Sequence, residues 1–164
     1  MSTCAIFAVP PDIYVPSIPL SKIREPLQHC IDALIAKGVD RLVLQLQPGI
    51  EMMVAEYALI LLKEWRIKKL ITIEPQPLNW VKAPVRDETK LEKVMSYIDR
   101  KNILMLPADR VETKRIHEIL DKADRVLVID SKKRTSQIGL VLGYAAYKNC
   151  KIDRVLIETL IALA

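Results

Sequence analysis

The sequence is poor in glycine, with only 4 among its 164 residues. It contains no glycine triplet of the dinucleotide-binding type, no phosphate-loop lysine motif and no nucleophile elbow. The chain therefore has few glycines from which to build a conventional phosphate-binding loop, because such loops need glycine where the backbone approaches the phosphate. These absences remove the motifs by which the commonest nucleotide-binding and hydrolytic enzymes are identified.

Histidine and cysteine are also scarce, and their spacing lacks the close pairs that metal and redox motifs require. The three cysteines, Cys4, Cys30 and Cys150, are odd in number and far apart, so we expect them to be reduced and mostly buried. His29 and His117 both fall in the middle of predicted helices, and we interpret them as structural or surface residues. We therefore expect neither a metal nor a cofactor.

Long hydrophobic runs are missing as well, since no stretch approaches the ~20 apolar residues that a membrane span needs. The N-terminus has no basic segment leading into a long apolar run. With 51% hydrophobic and 27% charged residues, the composition predicts a globular, cytoplasmic protein without a membrane partner. The net charge of +5 is scattered among acids, so nucleic acid is not indicated as a partner.

What the sequence does contain is a regular alternation of short β-branched runs with longer helical patterns. This rhythm predicts an α/β fold, a single-domain Rossmann-like three-layer sandwich over residues 1–164 with a mostly parallel central sheet. The runs are continuously apolar, as expected of parallel strands buried on both faces. The predicted strands span 4–9, 41–46, 70–73, 103–106, 125–129 and 154–157. The predicted helices span about 21–37, 50–65, 88–100, 109–122 and 135–148.

The last part of the chain carries two further patterns of small or apolar residues. Gly139, Gly143, Ala145 and Ala146 should allow the last predicted helix to pack closely on the sheet. The apolar run 160–163 belongs either to the core or to an association surface.

In an open parallel sheet, the loops that leave the carboxyl ends of the strands converge on one crevice, where helix N-termini present free amide donors. The loops at 10–12, 47–51, 74–80 and 130–136 qualify. The candidate ligand-binding residues in or near them are Pro10, Asp12, Gln47, Pro48, Gly49, Glu51, Glu56, Glu74, Trp80, Asp130, Thr135 and Ser136.

Each of these candidates also has a purely structural interpretation. Glu51 lies in the first turn of a predicted helix, where an acid either contacts a ligand or only stabilises the helix dipole. Glu56 either contacts a ribose hydroxyl or pairs with a neighbour. Thr135 and Ser136 either hold a phosphate or cap their helix, and Trp80 either stacks on a base or fills space under a long loop. The residues alone leave these alternatives open.

Several strings resemble a known family when they are taken in chain order. They are Ala36-Lys37-Gly38 before the strand 42–46, Gln47-Pro48-Gly49-Ile50-Glu51, Ala55-Glu56-Tyr57-Ala58, Trp80, the segment 123–130 and the Ala145-Ala146 helix. Together they resemble the SLOG superfamily, the Rossmann-like relatives of the DprA and LOG proteins, and most closely its YpsA-like branch. The likeness covers about residues 20–157. It departs where the branch carries glycine turns, because this chain has Pro10-Pro11 and Arg134-Thr135-Ser136-Gln137 there.

The resemblance implies that the crevice binds a nucleotide or a nucleotide-derived small molecule, as a sensor or regulatory protein, and that the chain forms a homodimer. A second reading is an enzyme like the LOG phosphoribohydrolases, which cleave an N-glycosidic bond. There Glu51 or Glu56 would assist the attack of water or stabilise the ribosyl cation. A third is a non-catalytic scaffold with a degenerate site, which the scarcity of glycine favours.

Overall fold

The computed structural model describes residues 2–10, 19–75, 85–105, 112–133 and 135–163. Strands and helices alternate along this part of the chain, and a short 3-10 turn at Arg100–Asn102 precedes the fourth strand. The elements are β1 (Ser2–Ala8), α1 (Leu20–Ala36), β2 (Val39–Leu44), α2 (Ile50–Lys63), β3 (Lys69–Ile73), α3 (Val85–Tyr97), β4 (Ile103–Leu104), α4 (Glu112–Asp121), β5 (Arg125–Asp130), α5 (Ser136–Tyr147), β6 (Lys151–Leu156) and α6 (Ile157–Ala162).

The six strands form one parallel sheet in the order β4-β3-β2-β1-β5-β6. β1 is central, and its Ile6 lies opposite Leu44 of β2 on one side and Leu127 of β5 on the other. Residues 4–8 of β1 are fully buried, because helices cover both faces of the sheet. The predicted Rossmann-like α/β sandwich is thus confirmed.

The helices divide into two layers. α1, α2, α3 and α6 pack beside one another on one face, and α4 packs against α5 on the other. The chain moves outward from β1 to β4 and then crosses back to β5, so the helical layer changes between β1 and β5. The carboxyl ends of these two strands therefore form the topological switch point, where open α/β sheets bind their ligands. Among the residues described, no helix is long and apolar enough to cross a membrane.

The sixth strand begins earlier than the sequence predicts. Its predicted range was 154–157, whereas β6 spans Lys151–Leu156 and Ile157 begins α6. In the described part of the chain β6 is an edge strand paired with β5, and Lys151, Ile152 and Arg154 are exposed. A search for continuously apolar runs finds internal strands but misses the polar half of an edge strand.

The expected packing of small residues on the sheet is wrong for three of the four positions. Gly139, Gly143 and Ala146 are exposed, and only Ala145 is buried. A Cβ added at either glycine would meet no heavy atom within 4 Å. The sheet contact is instead made by Ile138, Val141 and Ala145, so the small residues occupy the opposite phase of the helix.

The apolar C-terminal run 160–163 was predicted to belong either to the core or to an association surface, and its residues differ in burial. Leu160 is fully buried in α6, which packs against α1, and belongs to the core. Leu163 is 70% exposed. The three cysteines are free as expected, but only Cys4 is buried, whereas Cys30 and Cys150 are half-buried.

Trp65 follows the C-terminus of α2 in a conformation that favours glycine, with φ of 60° and a side chain that is 91% exposed. Trp65→Gly should raise the free energy of unfolding by about 1 kcal/mol, because glycine has no Cβ to clash in the left-handed region. Trp65→Ala removes the same ring but keeps the Cβ, so it should bring no comparable gain. Urea unfolding of both variants tests this, and equal effects would contradict it.

Candidate functional site

The two loops that the sequence analysis placed in one crevice lie on the same edge of the sheet. Residues 45–49 follow β2 and residues 131–133 follow β5, and β1 lies between these strands. All three strands are parallel, so their carboxyl ends share one edge. With two strand spacings between them, the loops begin about 10 Å apart.

Glu51 is the centre of a polar cluster at this edge. It lies in the first turn of α2, is 1% exposed, and follows Gly49, whose φ of 91° is disfavoured for other residues. Its Oε2 accepts hydrogen bonds from Ala8 N at 3.0 Å and from Gln45 Nε2 at 2.8 Å. Its Oε1 accepts one from Gln47 N at 3.1 Å. The carboxylate therefore joins the end of β1 to the loop after β2.

Arg115 reaches the same cluster from α4, in the opposite helical layer. It is 2% exposed, and its Nη1 donates to the carbonyl oxygen of Glu74 at 2.8 Å. Its Nη2 donates to the carbonyl oxygen of Gln45 at 3.0 Å. The guanidinium thus holds the carboxyl ends of β2 and β3 together, and its charge attracts Glu51 and Glu74.

Burial sets the protonation behaviour of this cluster. It raises the pKa of Glu51 to about 7, although the donors Gln45, Ala8 and Gln47 and the charge of Arg115 favour the ionised form. Burial also lowers the pKa of Arg115 to about 10, against the opposing attraction of Glu51 and Glu74. Arg115 is therefore charged at neutral pH, while Glu51 changes its charge close to neutrality.

Three buried polar atoms of the cluster have no hydrogen-bond partner among the described residues. They are Oε1 of Gln45, Oε1 of Gln47 and Nε of Arg115. Buried polar atoms in proteins are nearly always paired with protein, water or ligand. Within the described residues, two acceptors and one donor of the cluster are therefore buried and unsatisfied.

The loop after β5 is fixed by a second set of polar contacts. Asp130 is fully buried, and its carboxylate accepts hydrogen bonds from Ser131 N and Arg154 Nε, both at 2.8 Å. Ser131 Oγ donates to Glu158 Oε1 at 2.8 Å. Asp130 therefore attaches the loop to β6, and Ser131 attaches it to α6.

Thr135 and Ser136 begin α5 at this edge. Thr135 Oγ1 accepts a hydrogen bond from Ile138 N at 3.4 Å, so Thr135 caps the helix, one of the two roles predicted for it. Ser136 is exposed, as are Lys132 and Lys133 in the loop before it. This helix N-terminus therefore combines a positive dipole end with two accessible cations.

The other predicted ligand-binding residues lie at different distances from the cluster around Glu51. Pro10 lies just past β1, Pro48 is buried in the loop after β2, and Glu74 directly follows β3, with its carbonyl oxygen bonded to Arg115. The structure does not bring Glu56 into the cluster, because its carboxylate pairs with Lys90 Nζ at 3.0 Å in the groove between α2 and α3. Asp12 and Trp80 lie outside the described residues.

Arg115 and Gln45 belong to the cluster but were not among the predicted site residues. A signal for Arg115 exists in the sequence, since it shares the buried side of α4 with Ile116, Ile119 and Leu120. A single charge on an otherwise apolar helix face must find a buried partner. Gln45 gives a similar signal, as a polar residue directly after the buried end of β2.

Within the described residues, no group of three or more histidine, cysteine, aspartate or glutamate side chains is placed to hold a metal ion. His29 is exposed on α1, and His117 stacks on Tyr144 with ring centroids 3.7 Å apart. Neither histidine belongs to the cluster around Glu51.

Glu51→Gln should remove a pH dependence of stability. The pKa of Glu51 is about 7 in the folded protein against 4.5 for an ordinary glutamate, so folding takes up a proton. Its stabilising contribution is complete below about pH 4.5 and is lost as the pH rises through about 7. The difference in unfolding free energy between wild type and Glu51→Gln should change by roughly 3 kcal/mol between pH 4.5 and about 7. Urea unfolding at several pH values measures it.

A neutral change at the next position provides the control for that experiment. Met52→Leu alters the same buried turn of α2 without altering a titrating group, so it should shift stability equally at every pH. Parallel wild-type and Glu51→Gln curves would show that Glu51 does not titrate in this window.

Arg115→Met should be costly because it removes the donors while keeping much of the volume. The carbonyls of Gln45 and Glu74 lose their donor, and Glu51 loses its nearby positive charge. We expect a loss of about 3–5 kcal/mol in unfolding free energy. In a Glu51→Gln background the loss should be smaller, because no buried negative charge is left unpaired. Equal losses in both backgrounds would contradict an interaction between the two residues.

No protein-family model matches the chain, and no curated protein matches it at a significant level.

Proposed function

We propose that this chain binds a nucleotide or a nucleotide-derived small molecule at the carboxyl edge of its sheet and acts as a sensor or regulatory protein. The observation that carries the proposal is the set of three buried polar atoms in the cluster around Glu51 that have no hydrogen-bond partner in the described part of the chain. A buried polar group without a partner costs about 1–3 kcal/mol. A ligand with complementary donors and acceptors would remove that cost on binding.

The chemistry of the edge fits a nucleotide better than a simple anion or an apolar compound. The amide oxygens of Gln45 and Gln47 are acceptors and Arg115 Nε is a donor, and none of the three has a hydrogen-bond partner among the described residues. Nucleobases and ribose present both kinds of group. Across β1, the N-terminus of α5 with Lys132 and Lys133 is suited to a phosphate. The resemblance to the SLOG superfamily, in its YpsA-like branch, supports the same ligand class.

Binding is favoured over N-glycosidic hydrolysis by the surroundings of the two candidate acids. A pKa near 7 suits Glu51 for acid-base catalysis. However, the residue is enclosed, and both of its carboxylate oxygens already accept hydrogen bonds. Glu56 is paired with Lys90 outside the cluster. A hydrolase would need one of these acids to face water beside the ribose.

A sensing role is supported by the number of elements that the cluster connects. Glu51 links β1, the loop after β2 and α2, while Arg115 links β2 and β3 to α4. A ligand that bonded the side chain of Gln47 would act on the same residue whose backbone holds Glu51. Ligand contacts would thus be transmitted to both helical layers. The proposal includes a homodimer, and neither nucleic acid nor a membrane is part of it.

A panel of AMP, GMP, NAD and ADP-ribose tests the proposal by thermal shift with mass spectrometry of the recovered compound. We expect at least one nucleotide to stabilise the protein and to be recovered intact. The gain should approach about 2.7 kcal/mol at a concentration 100 times the dissociation constant. Released base would indicate the hydrolase instead. Absence of any stabilisation would favour the scaffold.

Ser136 allows a site variant that does not disturb the buried cluster. Ser136→Asp places a negative charge at the N-terminus of α5, which favours the helix dipole but repels a phosphate. We expect the stability of the free protein to be kept or slightly raised, and nucleotide binding to weaken about tenfold, equal to about 1.4 kcal/mol. Ser136→Asn is the uncharged control of similar size. Equal affinities of the two variants would place the phosphate elsewhere.

A further inference from the structure

The carboxylate of Glu51 accepts two kinds of hydrogen bond. Ala8 and Gln47 donate to it from the backbone, at 3.0 Å and 3.1 Å. A backbone N–H can only donate. Gln45 donates instead from its side chain, with Nε2 at 2.8 Å from Oε2 of Glu51. An amide side chain also carries an acceptor, so a half-turn of this group would reverse its part in the hydrogen bond.

The orientation of the Gln45 amide in the structure matches an ionised Glu51. A carboxylate only accepts hydrogen bonds, so Gln45 must turn its Nε2 toward it. Oε1 of Gln45 then points elsewhere, and it is buried without a partner among the described residues. The ionised form of Glu51 therefore leaves an unsatisfied acceptor on Gln45 at the carboxyl edge of the sheet.

A protonated Glu51 has the opposite requirement, because its O–H needs an acceptor. The N–H groups of Ala8 and Gln47 are donors, and Arg115, whose charge acts on this carboxyl group, has donors alone. The side chain of Gln45 already lies at hydrogen-bonding distance, and turning its amide brings Oε1 to the place of Nε2. The backbone of Gln45 can stay in place, since Arg115 Nη2 holds its carbonyl oxygen at 3.0 Å.

We propose that Gln45 determines which hydrogen-bonding group of a ligand the carboxyl edge selects, and that the proton on Glu51 reverses this selection. With Glu51 ionised, Oε1 of Gln45 selects a ligand N–H or O–H. With Glu51 protonated, the amide is turned, and Nε2 selects a carbonyl oxygen or a ring nitrogen. The reversal is a property of the protein alone, whereas the selection of a ligand group rests on the proposed nucleotide binding.

The charges around Glu51 place the reversal in an accessible range of pH. Burial raises the pKa of Glu51 to about 7, and the nearby charge of Arg115 opposes that rise. Arg115 is attracted in turn by Glu74, which follows β3. The charged side chains where α1 and α3 adjoin α2 are paired away from this carboxylate, as Arg66–Asp32 and Lys90–Glu56. Titration near neutrality is therefore governed by the cluster itself.

Linkage fixes the sign of the effect on binding. A ligand that donates to Gln45 binds the ionised form of Glu51, so it should bind more tightly as the pH rises and release a proton. A ligand that accepts from Gln45 binds the protonated form, so it should bind more tightly as the pH falls and take up a proton. Nucleobases carry both kinds of group, and adenine and guanine differ in this respect at the same ring position.

NMR of the free, isotope-labelled protein tests the reversal. Ala8 N and Gln45 Nε2 donate to the same oxygen of Glu51, so their protons lie close together and should give a nuclear Overhauser cross-peak. Turning the amide moves the Gln45 protons away. Between about pH 8.5 and about pH 5.5 the cross-peak should weaken at least about tenfold, because Glu51 passes from almost fully ionised to almost fully protonated. An equally strong cross-peak at both pH values would overturn the proposal.

Gln47 is the matched control within the same protein. It is also a buried glutamine whose Oε1 has no partner in the described part of the chain, but it bonds Glu51 through its backbone. Its side-chain amide should keep the same cross-peaks at both pH values. Gln45→Met and Gln47→Met identify the two amide resonances by their disappearance. A reorientation of Gln47 in place of Gln45, or a pH dependence that persists in Glu51→Gln, would assign the proton to another pair and overturn the proposal.

The selection of a ligand group is tested with AMP and GMP, whose bases carry an amino group and a carbonyl oxygen at the same position. In wild type, the ratio of their dissociation constants should change by about tenfold or more between about pH 6 and about pH 8, because the fraction of each form of Glu51 changes by about tenfold. In Gln45→Met the ratio should not depend on pH. A constant ratio in wild type would remove Gln45 from ligand selection. The NMR result needs no nucleotide, so failure of the reversal and failure of nucleotide binding are distinguishable.

Discussion

The carboxyl edge of the sheet depends on one buried carboxylate. Removing a carboxylate from water costs several kcal/mol even after relaxation of the protein, and Glu51 is enclosed on all sides. Its compensation comes from separate parts of the chain, namely Ala8 at the end of β1, the loop residues Gln45 and Gln47, and Arg115 on α4. The ionised form is therefore tolerated only when these elements are in place together. The pKa of about 7 shows that burial still outweighs the compensation.

The same arrangement explains why polar atoms remain unsatisfied beside the carboxylate. Gln45 turns its amide nitrogen toward Glu51, so its Oε1 faces away from the donors that Glu51 uses. Arg115 uses both terminal nitrogens on the carbonyls of Gln45 and Glu74, just past the ends of β2 and β3, and its Nε has no partner among the described residues. The unsatisfied acceptor of Gln45 thus follows from holding Glu51, and the unsatisfied donor of Arg115 follows from holding the two strand ends together.

Internal strands are the most predictable part of the fold. A short, continuously apolar run such as 125–129 is typical of a strand that helices cover on both faces. The edge strand β6 was placed too late, since exposed positions such as Lys151 and Arg154 interrupt its apolar pattern. The contacts of Glu51 were beyond sequence reasoning. Ala8 and Arg115 are distant from Glu51 in the chain, and the crossover from β4 to β5 brings α4 to this edge. Helical phase was misjudged at Gly139 and Gly143, because small residues suit either a sheet contact or an exposed face.

Helix α5 brings the second helical layer to the same edge as Glu51. Its N-terminus, capped by Thr135, stands at the carboxyl edge, and its residues Ile138, Val141 and Ala145 are fully buried. α2 and α5 lie in opposite layers, and the first turn of each begins at the edge shared by β2, β1 and β5. A ligand that contacted both first turns, as we propose, would therefore touch both layers at once, because the sheet reverses its winding between β1 and β5.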